Sequence, residues 1–155
     1  MKKILMALLM AATFSQASAA DVQIRDVFRE MPDSLMPYLS KNNRLDFIDF
    51  LDSGMKAEVK NSLGGTSEMT SIADDSLSIR MSDGLRVDML LMDSVVVMVE
   101  TFTVDSVYGE SRVHYYSVDW KPLAQPCFSG IQAQRIKRLK MQNIVKRDDD
   151  LLNKR

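Results

Sequence analysis

Residues 76–91 read Ser-Leu-Ser-Ile-Arg-Met-Ser-Asp-Gly-Leu-Arg-Val-Asp-Met-Leu-Leu, and their period decides the fold. Leu77, Ile79 and Met81 alternate with Ser76, Ser78 and Arg80, and Leu85, Val87, Met89 and Leu91 alternate around Arg86 and Asp88. A period of two marks strands with one apolar face. Asp83-Gly84 between them marks a hairpin. A two-residue loop would pair Ser82 with Leu85, Met81 with Arg86 and Ile79 with Asp88, setting apolar against charged side chains. A three-residue loop, Ser82 to Gly84, pairs Met81 with Leu85, Ile79 with Val87 and Leu77 with Met89. That register keeps the apolar face continuous, so it is expected, with Gly84 left-handed beside a bulge.

Outward from this hairpin the period-two pattern continues. Val95 to Val99 is apolar throughout, as suits a central strand covered on both faces or a strand at an interface, and the sequence is compatible with a homo-oligomer. Arg112 to Val118 is a further strand, and Glu68 to Ile72 is a candidate earlier one. Turn signals stand at Asp74-Asp75, Asp83-Gly84, Met92-Asp93 and Asp105 to Gly109. Short turns between consecutive strands imply an antiparallel meander of about four to five strands.

Upstream the period changes to that of helices. Ile24, Phe28 and Met31 define a first helix, capped by Asp21 and ended by Pro32. A second carries Leu45, Phe47, Ile48, Phe50 and Leu51, with Asn42 or Asn43 as cap and Gly54 as stop. Its apolar residues cover more than half the helix circumference, which predicts a helix sandwiched in the fold or covered by a partner. Lys56 to Leu63 reads as a third helical piece stopped by Gly64-Gly65. The expected architecture is α+β: N-terminal helices packed on an antiparallel meander, with a basic C-terminal extension.

Residues 1–20 have the layout of a signal peptide. Lys2 and Lys3 precede an apolar run from Ile4 to Phe14, followed by the small-residue site Ala17-Ser18-Ala19, with Ser18-Ala19-Ala20 as an alternative. The run is shorter than the roughly 20 residues a transmembrane helix needs. No cysteine follows it, so a lipid anchor of the bacterial lipoprotein type is not expected. The expected location is periplasmic or secreted. Removing twenty of the 155 residues leaves 135, enough for one core and a single domain over residues 21–130. With 46% apolar and 26% charged residues, the chain has the make-up of a globular protein.

Charge is unevenly spread. Residues 21–130 carry 10 Lys+Arg against 18 Asp+Glu, a balance of −8, whereas residues 131–155 carry 8 Lys+Arg against 3 Asp, or +5. The acidic body argues against nucleic acid as a partner. The basic stretch scatters Ile131, Ile136, Leu139, Met141, Ile144 and Val145 around a helical wheel. It reads as a weakly attached, helical or disordered tail: an arm drawn to anionic envelope components, or the product of a shifted reading frame.

The segments Met31 to Leu35, Pro37-Tyr38-Leu39, Asn42 to Asp52, Leu63-Gly64-Gly65 and Asp119-Trp120-Lys121-Pro122-Leu123 together resemble an uncharacterised family of exported proteins from Bacteroidetes-type Gram-negative bacteria. The resemblance covers residues 31–123, and the sequence after Leu123 departs from it. It implies a periplasmic or secreted setting and no particular activity.

Few residues could carry chemistry. There is no G-x-S-x-G elbow, H-E-x-x-H helix, P-loop or C-x-x-C motif. His114, the single histidine, excludes a two-histidine metal site. If Val104 pairs with Glu110, Glu100 lies opposite His114, and the two are the candidate acid/base pair of a hydrolase-like enzyme. The bland alternative is a cross-strand polar contact. Cys127, alone, can form no intrachain disulfide, and without a second histidine it lacks an activating base. Asp46, Asp49 and Asp52 share one strip of a helix, too regular to gather on a cation. Met31, Met36, Met55, Met69, Met81, Met89, Met92 and Met98 imply a methionine-rich interior. No cofactor is expected, and the favoured reading is a non-enzymatic module binding a protein or envelope component through its sheet or its second helix.

Overall fold

A computed structural model describes residues 22–104 and 108–140. The proposed signal peptide, the cap at Asp21 and the last fifteen residues lie outside them.

Helix α1 (Ile24–Arg29) is started by Gln23, whose carbonyl accepts from Val27 at 3.3 Å, and it buries Ile24, Val27 and Phe28. A single 3₁₀ turn (Asp33–Leu35) leads to α2 (Lys41–Asp52). The cap of α2 is Ser40, one turn earlier than Asn43. Ser40 Oγ accepts from the Asn43 N–H at 3.2 Å and Asn43 Oδ1 accepts from the Ser40 N–H at 3.1 Å, a reciprocal capping box. Gly54 follows the helix with a left-handed φ of +68°, as a stop requires. Phe47 and Ile48 are fully buried, and Leu45, Phe50 and Leu51 are half-buried.

Position 44 of that helix is the unexpected one, since Arg44 is 1% exposed. Its guanidinium donates to the carbonyls of Leu39 (3.0 Å) and Met31 and pairs with the Asp33 carboxylate at 2.8 Å. The proline-interrupted segment between the helices cannot satisfy its own carbonyls in regular structure. Arg44 satisfies them from below, so this charge is buried because it closes a loop.

Lys56 to Leu63 is not helical. Strand β1 (Glu58–Lys60) pairs antiparallel with β2 (Thr66–Ile72), setting Val59 against Ser67. Ala57 and Val59 bury on alternate positions, so period two wins over the helical preference of Lys, Ala and Glu. Asn61 closes the turn: its Oδ1 accepts from the N–H groups of Leu63 (3.1 Å) and Gly65 (3.0 Å). Gly64, at φ +79°, therefore serves a hairpin and not a helix end.

Four more strands complete one sheet: β3 (Ser76–Ser82), β4 (Leu85–Met92), β5 (Val95–Val104) and β6 (Tyr108–Ser117). All six are antiparallel in sequence order. The β3–β4 ladder has the expected outer register, Ile79 opposite Val87 and Leu77 opposite Met89. Its end differs from expectation. Ser82 faces Leu85, the register shift falls between Arg80 and Ser82, and Gly84 is not left-handed. The extra residue is thus taken up in the strand at Met81 and not in the loop. Between β4 and β5, Asp93 and Ser94 are both left-handed, at φ 49° and 65°, which fits a primed two-residue turn.

The helices cover one face of the sheet. Ile24, Phe28, Phe47, Ile48, Met69, Ile79, Met89, Val96 and Met98 form the main core. Seven of the eight expected core methionines are buried there or across the sheet, while Met55 is 53% exposed. Val96 and Val97 are both fully buried, so the centre of β5 is covered on both sides. The cover on the second face is a third helix, α3, over residues 130–140. Ser129 and Gln132 cap it reciprocally. Ile136 and Leu139 pack on Leu90, Met92, Val97 and Val99, and Arg135 pairs with Asp75 at 2.8 Å. In residues 131–140, then, the basic segment is a docked helix. Two apolar residues one turn apart and one ion pair to the acidic body suffice. The fold is α+β, with six strands where four to five were expected and a helix after the sheet as well as before it.

Candidate functional site

The acid–histidine pair lies on the helix-side face. The expected register does not hold: Val104 faces Tyr108, Glu100 faces Arg112 and His114 faces Met98. The hairpin loop is two residues shorter than the Asp105–Gly109 turn implied. Glu100 and His114 nonetheless meet, Nε2 to Oε2 at 3.2 Å, because diagonal neighbours on one face stay within reach of long side chains. The Tyr116 ring stacks beside His114 at 6.4 Å. Burial, and secondarily the Glu100 charge, raise the Tyr116 hydroxyl pKa above its ordinary value. Arg112, directly opposite Glu100, sits over the Phe102 ring at 5.2 Å.

This arrangement could pass a proton between carboxylate and imidazole, but it sits on open sheet. The His114 side chain is 42% exposed, and Glu100 and His114 line neither of the clefts described below. The thiol of Cys127 is exposed and belongs to a cleft on the opposite face, so it cannot serve as nucleophile to this base. Asp46, Asp49 and Asp52 are all exposed, with Asp52 paired to Arg25 at 3.3 Å. Among the described residues, no three His, Cys, Asp or Glu side chains gather closely enough to hold a metal ion.

Two clefts open on the other face, one on each flank of α3. A cleft of about 590 Å³ separates α3 from the end of β6 and the strap that follows it. Tyr115, Phe128 and Ile136 give it an apolar lining, the first two in ring contact at 5.8 Å, and Lys137 and Lys140 add positive charge. A smaller cleft of about 250 Å³ runs between α3 and β3–β4, with Arg135, Arg138 and Leu139 on the helix side and Ser76 and Ser78 on the strands. Beneath its strand side the Asp88 carboxylate is 1% exposed and is held by Ser78 Oγ and Arg86 Nε. The strap is anchored from the other face, where Trp120, left-handed at φ 62°, donates from Nε1 to the Val27 carbonyl at 2.8 Å.

These clefts depend on α3, whose docking the helical wheel does not show. Its start was nevertheless encoded: Ser129-Gly-Ile-Gln132 is a capping-box sequence ahead of Ile136 and Leu139. Among the described residues no helix is long and apolar enough to cross a membrane.

No curated protein matches the chain. Among solved structures, it is similar to "Structure of a domain of an uncharacterized protein from Porphyromonas gingivalis W83", at 25% identity and a TM-score of 0.54. That likeness covers 66% of this chain and 57% of the other, so the chain spans little more than half of that structure's length. A family described as "Protein of unknown function (DUF3256)" matches residues 15–153. The match runs through α3 and the basic segment, which makes them part of the family pattern and removes the ground for a shifted reading frame. The chain belongs to the DUF3256 family.

Proposed function

We propose that this chain is an exported, non-catalytic binding module that takes an anionic, partly apolar envelope component or protein in the clefts beside α3. The observation that carries the reading is the larger cleft, where Tyr115 and Phe128 lie next to Lys137 and Lys140. Aromatic and aliphatic walls with a few convergent charges are the usual make-up of a binding site. The acidic body is unfavourable to an anionic partner, whereas Arg135, Lys137, Arg138 and Lys140 of this helix attract one. Export rests on the n-, h- and c-regions of residues 1–20 and places the module in the periplasm or outside the cell. The expected binding surface on α2 gives way to this one, because Phe47 and Ile48 are consumed by the core.

The test is capture from the native envelope fraction by the full chain. The double variant Lys137→Glu/Lys140→Glu should lose what the wild type retains, and His114→Ala should not. Retention by the charge-reversed variant would contradict the reading.

A second reading keeps one specific support, the 3.2 Å contact between Glu100 and His114. In a hydrolase-like enzyme His114 would act as base and Glu100 would orient it. Any hydrolysis of ester, amide or glycoside substrates that disappears in His114→Ala would favour it over binding.

A further inference from the structure

The two edges of the sheet are unlike. At one side β1 is a three-residue strand, too short to template another chain. At the other side β6 runs for ten residues, and among the described residues only its end is occupied. The Ser117 N–H donates to the Lys121 carbonyl at 2.9 Å, and the Leu123 N–H donates to the Tyr115 carbonyl at 2.8 Å. These bonds fix which residues point their backbone outward. In an antiparallel strand N–H and C=O groups face one side on alternate residues. Tyr115 and Ser117 face out, and the β5–β6 ladder carries no register shift. Val113, Ser111 and Gly109 therefore face out as well. Among the described residues no backbone partner occupies them.

We propose that this free segment of β6 pairs antiparallel with the same segment of a second copy of the chain, about a two-fold axis at Ser111. The side chains choose the occupant and the register. A two-fold axis at Glu110 would set Glu110 against its own copy, and an axis at Arg112 would set Arg112 against its own. Like charges directly opposed destabilise a strand pair. An axis at Ser111 sets Glu110 of each copy against Arg112 of the other, twice, on the helix-side face. Those two positions form non-hydrogen-bonded pairs across the new seam, the closer of the two spacings. On the opposite face small hydroxyls meet at Ser111, and Gly109 opposes Val113, adding no side chain beside the cleft that Val113 helps to line. Edge charges commonly prevent strand pairing. Here their opposite signs on either side of Ser111 make the edge complementary to itself.

Sedimentation of the full chain from about 1 µM to 1 mM, the span of weak interfaces, tests this. A dimer is expected that dissociates on dilution. Glu110→Arg and Arg112→Glu each create two like-charge oppositions and should weaken the dimer about tenfold or more. The double swap Glu110→Arg/Arg112→Glu restores both opposite pairs and should restore dimerisation. Both positions are exposed, so melting temperatures should stay near wild type and exclude misfolding as the cause. Independently, Ser111→Cys in a Cys127→Ser background should oxidise to a covalent dimer, since Cα atoms about 5.5 Å apart suit a disulfide. A wild type that stays monomeric at 1 mM overturns the proposal. So does a dimer indifferent to the single swaps, one not rescued by the double swap, or a Ser111→Cys chain that does not cross-link.

Discussion

The two faces of the sheet are covered by helices in different ways. On one face α1 and α2 seat Phe28, Phe47 and Ile48 in an apolar layer fully removed from water, with Arg44 tying the loop between them. On the other, α3 touches the sheet through Ile136 and Leu139 and leaves clefts on both flanks. Hydrophobic stabilisation scales with the apolar area buried. The first face therefore holds the fold together, and the second is free to expose concave, charged surface. The difference teaches that the element most important for stability and the element most suited to binding lie on opposite sides of one strand, β5.

Substitutions on the two faces should break this contrast unequally. The largest effect belongs to Ile48→Asp. A carboxylate at a fully buried site without a partner exceeds what a domain of this size can absorb, so the cooperative thermal transition should vanish. A melt within a few degrees of wild type would show that α2 is not core. Next comes Arg44→Met, which keeps volume but removes the donors to the Met31 and Leu39 carbonyls. Leaving buried acceptors unpaired should cost about 2–4 kcal/mol in urea unfolding, without change of slope. Smaller again is Ile136→Ala, at about 1–2 kcal/mol, because the site lies at an edge of its cluster and α3 can lift away instead of leaving a cavity. A loss as large as that of Arg44→Met would mean the second face contributes to the core as strongly as the first.

How far these elements could be read from sequence follows the same division. The β3–β4 hairpin and α2 were legible because their apolar residues repeat over many positions and answer to a continuous buried face. What depended on single residues was not. The loop at Asp83-Gly84 was misplaced by one residue because a bulge at Met81 and a longer loop give the same outer register. The strand at Glu58–Lys60 is too short to outweigh its helix-forming composition. The burial of Arg44 has no signal in the local pattern, because the carbonyls it serves come from the segment before its helix. The contact between Glu100 and His114 was anticipated from a register that does not occur, and it forms through a diagonal that side-chain length allows. The docking of α3 was invisible on a wheel drawn over residues 131–145, since of its apolar members only Ile136 and Leu139 pack on the sheet among the described residues.

The division between a firmly held face and a lightly held one is tested most directly by native-state hydrogen exchange. Amides of α2 from Phe47 onward should exchange only through global unfolding. Those in the interior of α3, from Arg135 to Lys140, should exchange through a local opening of lower free energy, at rates at least about tenfold faster. Equal protection of the two helices, rising and falling together with denaturant, would contradict the account.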